Sequence, residues 1–161
     1  MALTASKNIL EKHLPQAYRN DYPATDSVQY FRGGLVALVA GKLVKPTTAT
    51  VGASAVFICE DEILTGVSTT EQIGVRTGMF KLLNGDTIVA ADAGKLGYIG
   101  ANGDDSVYKA GAAATDVVVG VIDRVDAARD PGGAGVWVHV LGLHEIIKPL
   151  TATTSDNLSG A

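Results

Sequence analysis

A single cysteine, Cys59, is all the thiol this chain carries. One thiol excludes an internal disulfide and any multi-thiolate metal cluster. Its neighbours Val56, Phe57 and Ile58 mark a small buried apolar residue rather than a nucleophile, and no histidine lies near it in sequence. Cationic residues are also sparse. Lys and Arg number 13 against 17 Asp and Glu, a net charge of -4 with no basic run. A nucleic-acid partner needs a concentrated basic patch to neutralise phosphates, so the composition argues against one. No uninterrupted apolar run approaches the roughly 20 residues of a membrane-spanning helix. The N-terminus has no apolar core of signal-peptide type. The expectation is a soluble protein made in a cytoplasm and not exported by an obvious route.

Catalytic and ligand-binding patterns are missing as well. The three histidines are His13, His139 and His144. Only the last two are close, and Glu145 alone stands near them at ligand spacing, so they read as strand residues rather than a metal site. Asp123, Asp126 and Asp130 share a loop with Gly132 and Gly133, but not in the alternating order of a calcium loop. There is no phosphate-binding glycine loop, and Gly52-Ala53-Ser54-Ala55-Val56 breaks the nucleophile-elbow pattern. Asp86 and Asp92 are turn aspartates. No catalytic, cofactor-binding or metal-binding residue is assigned, and the chain is not expected to be an enzyme.

What the chain has is glycine and small residues. Nineteen glycines accompany 47% hydrophobic and only 19% charged residues over 161 positions. Such a balance suits many short strands joined by turns, in one domain large enough for a real core. The stretch Gly78–Ile99 sets the pattern. Gly78 to Leu83 reads as a strand and Asn84-Gly85-Asp86 as a tight turn. Thr87 to Ala90 is extended, Ala91–Lys95 turns, and Leu96 to Ile99 returns. Upstream, Leu35–Val39, Ala40-Gly41 and Lys42–Lys45 form a hairpin. Ala55–Ile58, Ile63–Val67 and Ile73–Arg76 are further strands. Downstream, Gly100 to Asp105 is a loop tip by composition, Val107–Ala110 a short strand and Val117–Ile122 a β-branched one. Asp123–Gly133 is an exposed loop, and Gly135–Leu141 the strongest strand. That strand is apolar on both faces, which places it centrally or against a partner and buries Trp137. Leu64-Thr65-Gly66-Val67 echoes Val118-Val119-Gly120-Val121, a hint of two equivalent strands. The fold class is all-β: a small β-barrel or sandwich over 33–148, with an extended N-terminal arm, 1–32, and a loose C-terminal tail, 149–161.

The arm is the aromatic part. Ser6 to Leu14 reads as a short helix stopped by Pro15, too short to stand alone in water. Tyr18, Tyr22, Tyr30 and Phe31 follow without clear periodicity, interleaved with Arg19 and Arg32. Tyr and Arg anchor interfaces at low entropic cost. The arm is therefore expected to be mobile in the free protein and ordered on a partner, the rival being that it packs on its own body. Tyr18, Arg19, Tyr22, Tyr30, Phe31, Arg32 and Trp137 are the candidate contacts with that partner or a second subunit.

A resemblance names the partner. Gly33-Gly34-Leu35-Val36-Ala37-Leu38, Gly41 and Val44-Lys45-Pro46 resemble the opening hairpin of the small capsid decoration, or cement, proteins of tailed bacteriophages. Val75-Arg76-Thr77-Gly78-Met79-Phe80, Asn84, Ala91-Asp92-Ala93-Gly94-Lys95 and Tyr98 continue in the same order. Val119-Gly120-Val121 and Gly135-Val136-Trp137-Val138 close the match, which covers roughly residues 33–141. The arm and the Asp123–Gly133 loop are longer than the family pattern. The resemblance implies a non-catalytic β-body on the capsid exterior, docked on the major capsid protein and often trimeric, made in the host cytoplasm before assembly. Neither nucleic acid, membrane nor cofactor is implied. Two other classes stay open. A tail or baseplate β-domain would be present in few copies per particle, and a barrel-shaped ligand binder or enzyme would need a deep polar pocket.

Overall fold

The computed structural model describes residues 11–12, 19–47, 50, 52–100, 103–109, 114–126 and 135–142. Among them run thirteen strands: β1 (Glu11–Lys12), β2 (Arg19–Pro23), β3 (Gln29–Tyr30), β4 (Leu35–Val39), β5 (Lys42–Val44), β6 (Ala53–Cys59), β7 (Ile63–Leu64), β8 (Gln72–Arg76), β9 (Gly78–Asn84), β10 (Leu96–Gly100), β11 (Gly103–Tyr108), β12 (Ala114–Asp126) and β13 (Gly135–Val140). The only helical element described is a single 3-10 turn, Ala90–Asp92. The protein is all-β, as its turn-bounded β-branched runs predict.

Five strands close a small barrel. Its order is β9-β11-β10-β12-β13, and β13 returns to β9 with Trp137 opposite Lys81 and Val138 opposite Phe80. Closure leaves no barrel strand with a bare edge. Phe80, Leu82, Ile99, Val107, Val119, Ile122, Val136, Val138 and Val140 fill the core. Each such side chain contributes about 1.5–3 kcal/mol when fully buried. Where β10, β12 and β13 come closest, Gly97 lies opposite Gly120. A Cβ on Gly120 would sit 2.0 Å from the His139 carbonyl oxygen, so the barrel closes there only around glycine.

The second sheet has the order β2-β8-β6-β4-β5. Its ends curl together, because Ala24 just after β2 bridges to Leu43 in β5. Alternation splits β4 and β6 between two cores. Leu35, Ala37, Val56 and Ile58 join the barrel core. Val36, Ala55, Phe57 and Cys59 join a second core with Tyr30, Leu43, Ile73 and Val75. The β4–β5 hairpin forms as expected, with Ala40 (φ 48°) and Gly41 (φ 80°) both left-handed, the geometry that a twisted two-residue hairpin turn requires. A two-stranded ribbon, β3 with β7, completes the fold.

Several local expectations are corrected. The Ser6–Leu14 helix lies mostly outside the described residues, but Glu11 and Lys12 within it are a strand paired with Phe80 and Met79. A segment too short to hold a helix takes the ladder that β9 offers instead. Thr87–Ala90 is not a strand; the Asn84 side chain imitates a strand partner there, accepting from the Ile88 N–H (3.2 Å) and donating to its carbonyl (2.9 Å). In the barrel β11 lies between β9 and β10, parallel to β9. Gly103 to Asp105 belong to β11 rather than a loop tip, with Asp104 and Asp105 buried. Asp123 to Asp126 extend β12. The Leu64–Val67 echo does not mark equivalent strands: Gly66 faces open space whereas Gly120 is sealed under β13.

Cys59 is 1% exposed, and its thiol donates to the Asp61 carbonyl. Burial pushes its pKa up to about 12. The reactive species is the thiolate, so native protein is expected to resist iodoacetamide at pH 8 and to alkylate fully in denaturant. Fast stoichiometric labelling of native protein would contradict the packing described.

Candidate interaction surface

The expected contact residues divide into three groups. Tyr18 lies outside the described residues. Arg19, Tyr22, Tyr30, Phe31 and Arg32 are woven into the second sheet and its surroundings, and Trp137 stands apart on the barrel.

Glu60 is the point on which the arginines converge. It follows β6, and its backbone N–H donates to the Gly74 carbonyl in β8 (2.8 Å). Arg32 Nε donates to the Glu60 carbonyl at 2.9 Å. Arg19 Nη2 and Arg76 Nε both lie 3.5 Å from Glu60 Oε1. Arg76 is placed beside Arg19 by the β2–β8 register and also covers the Phe80 ring at 5.1 Å. Arg19 and Arg32 thus bind this chain's own Glu60. The Arg19 side chain remains 62% exposed, so its ion pair is worth little to stability and its fork is still open to a partner.

The aromatics turn inward. Tyr30 is 1% exposed, and its hydroxyl donates to the Leu43 carbonyl (2.6 Å) while accepting from the Thr25 N–H (3.1 Å). Burial raises its pKa, opposed by the hydrogen bonds at Thr25. Tyr30 is therefore held in this chain's own core. Tyr22 stacks on Phe57 with ring centroids 5.5 Å apart. Phe31 is half-buried beneath the Lys45 ammonium, 5.2 Å from the ring centroid. The same ammonium pairs with the buried Asp104 at 3.3 Å, which is how an aspartate is accommodated inside β11. Residues 19–32 thus lie on the protein's own body, and no break separates them from it at residue 33.

Trp137 is buried, 6% exposed, on the barrel face opposite the valines of β13. Its indole N–H donates to Asp126 Oδ2 at 2.6 Å. The Arg124 guanidinium covers the ring at 5.0 Å, and Lys81 Nζ lies 3.6 Å from Asp126 Oδ2. Register explains the cluster: Lys81, Trp137 and Arg124 are direct partners across β9, β13 and β12. The Asp126 carboxyl is held below its ordinary range, chiefly by the indole donor and then by Arg124. A second carboxyl, Asp92, is lowered by Lys95 (2.8 Å) and by the Val89 N–H. It pins the 3-10 turn to β10's approach.

Among the described residues no group of three or more His, Cys, Asp or Glu side chains is placed to hold a metal ion. No described helix is long and apolar enough to cross a membrane.

One surface feature escaped the sequence reading. Loops 25–28 and 65–69 are laced together beside the β3–β7 ribbon. Ser27 N donates to the Gly66 carbonyl, Thr65 N to the Val28 carbonyl, and Thr65 Oγ1 to the Thr25 carbonyl. Val28 N donates to Thr65 Oγ1 and Thr69 N to Asp26 Oδ1. Ser27 and Ser68 take left-handed φ values of 56° and 58°. Leu64 and Val67 are left 67% and 85% exposed. The inward Ile63 beside the outward Leu64 was the available signal, but a two-residue strand gives no alternation to read.

No protein-family model, curated protein or solved structure matches this chain.

Proposed function

We propose that this chain is a capsid decoration protein of a tailed bacteriophage. It binds the outer surface of the capsid, contacts the major capsid protein and holds lattice subunits together, without catalysis. The observation carrying this reading is where the resembling segments fall. Of Gly33–Leu38, the residues from Leu35 on lie in β4, Val75–Phe80 joins β8 to β9, Tyr98 lies in β10, Val119–Val121 in β12 and Gly135–Val138 in β13. They supply every barrel strand but β11, together with the hairpin of the second sheet. The segments that carry the likeness thus lie in both sheets, in chain order. A rigid body filled with aliphatic side chains suits a clamp whose affinity comes from many copies on a repeated lattice.

The protein would reside on the virion exterior, and in the host cytoplasm before assembly. A homotrimer on the capsid rests on the resemblance alone. On the outer face of β13, whose apolar pattern had suggested self-association, Trp137 is covered within the chain by Arg124 and Asp126.

Electron microscopy of intact particles from the phage encoding the chain tests the reading. The expected map has hundreds of copies of the barrel on the capsid exterior, in contact with the major capsid protein. A few copies confined to the tail or baseplate would replace this reading with another virion role. Absence from the particle would end both.

A further inference from the structure

We infer that the laced loops carrying Val67, with Leu64 at the adjoining end of β7, are the docking tip of the protein, and that they seat in an apolar socket rimmed by Lys and Arg on the capsid shell. The inference rests on the decoration reading for the identity of the shell. The tip itself is argued from its construction.

Two exposed aliphatic side chains three residues apart are unremarkable on a soft loop. Here the loop is not soft. Five cross-loop hydrogen bonds hold it, and two serines are kept in left-handed backbone conformations that such residues rarely adopt. Strain of this kind persists only where the surroundings impose it, and it gathers at ligand clamps. A preorganised loop loses little conformational entropy on docking, so even a small apolar contact retains its value.

The occupant follows from size and charge. A stable free-standing interface takes roughly 20–30 residues a side. Leu64 and Val67 are far too few to hold a second copy in solution. They are enough for one contact among many on an immobile, repeated surface, where avidity supplies the rest. The charge carried by the tip's own segments is of one sign. No Lys or Arg occurs between Arg19 and Arg32, or between Lys45 and Arg76. Those two segments build the tip, and they expose Asp26, Glu62 and Glu71. Anionic lipid and nucleic-acid phosphate are repelled by such a rim. A protein socket edged with cationic side chains is complementary to it.

The test uses the full-length protein and shells of the same phage assembled without it. Leu64→Ser with Val67→Ser is expected to weaken shell binding at least tenfold, with unchanged circular dichroism and thermal unfolding because both side chains are exposed. Glu62→Gln with Glu71→Gln is expected to flatten the salt dependence of binding, and Val67→Ile to bind normally. Wild-type affinity in the double-serine variant overturns the tip while leaving the decoration reading standing. Failure of the wild type to bind shells overturns both. A free oligomer that becomes monomeric in the double-serine variant, or wild-type binding to phosphatidylcholine–phosphatidylglycerol vesicles, would give the tip to a second copy or to a membrane, and overturns the shell socket.

Discussion

Trp137→Ala is expected to lower stability by about 3–5 kcal/mol, the usual cost of emptying a large aromatic site. For a chain of this size, each kcal/mol corresponds to roughly 2–4 °C in Tm. The loss has more than one source. The ring covers a row in which Lys81 and Arg124 flank Trp137 across three barrel strands, and removing it leaves a void at 6% exposure. Asp126 also loses the indole N–H that contributes most to its lowered pKa. Trp137→Phe separates these effects: it keeps most of the apolar volume and removes the donor. The phenylalanine variant should therefore be milder at neutral pH and less sensitive to acid. Asp126 has a folded pKa below its ordinary value. Its contribution is complete above the ordinary carboxylate pKa of about 3.9 and is lost as pH falls through the folded value. Without the indole the two values converge, so that part of the acid dependence should shrink. Urea unfolding of wild type and both variants at pH 7 and across the acid range would measure this. A Trp137→Ala variant as stable as wild type would mean that the residue is not structural, leaving a partner contact as its role.

The features legible in the sequence were those set by neighbours in the chain. Ala40-Gly41 between two apolar runs gave the β4–β5 hairpin because the turn chemistry is local. The valine alternation of Gly135–Val140 gave a strand covered on both faces, although the covering of Trp137 comes from Asp126 and Arg124 rather than from a second subunit. Features set by distant partners were not legible. The parallel β9–β11 pairing has no local signature, and without it Asn84-Gly85-Asp86 resembles an ordinary hairpin turn. Asp104 and Asp105 resemble a loop until Lys45 is brought to Asp104 from another sheet. Arg19, Arg32 and Tyr30 have the composition of an interface, but their partners Glu60 and Leu43 belong to the same chain.

Truncating the N-terminus is expected to show a sharp boundary between residues 18 and 24. Deleting 2–18 removes β1, whose two residues pair with β9, and leaves the second sheet intact. Deleting 2–24 removes β2 as well. That takes away the whole ladder from Arg19↔Arg76 to Pro23↔Gln72, the Tyr22 ring on Phe57, and the Ala24 bridge that draws β2 to β5. Cross-strand pairs contribute roughly 0.2–1 kcal/mol each, and a stacked aromatic pair about 0.5–1.5 kcal/mol beyond its burial. The sum is a large fraction of the ~5–15 kcal/mol that holds a typical domain folded. Deletion of 2–24 should therefore lower the thermal midpoint and abolish protection of the β8 amides that face β2, while those facing β6 keep their partners. Deletion of 2–18 should keep both near wild type. The pair also decides what a loss of shell binding would mean. If the 2–18 deletion folds normally but no longer decorates shells, the segment before β2 is an anchor in its own right, and the tip at Leu64 and Val67 is at most its partner. If it decorates normally while the 2–24 deletion fails, the failure belongs to the fold. A 2–24 deletion with unchanged stability would contradict the β2–β8 pairing itself.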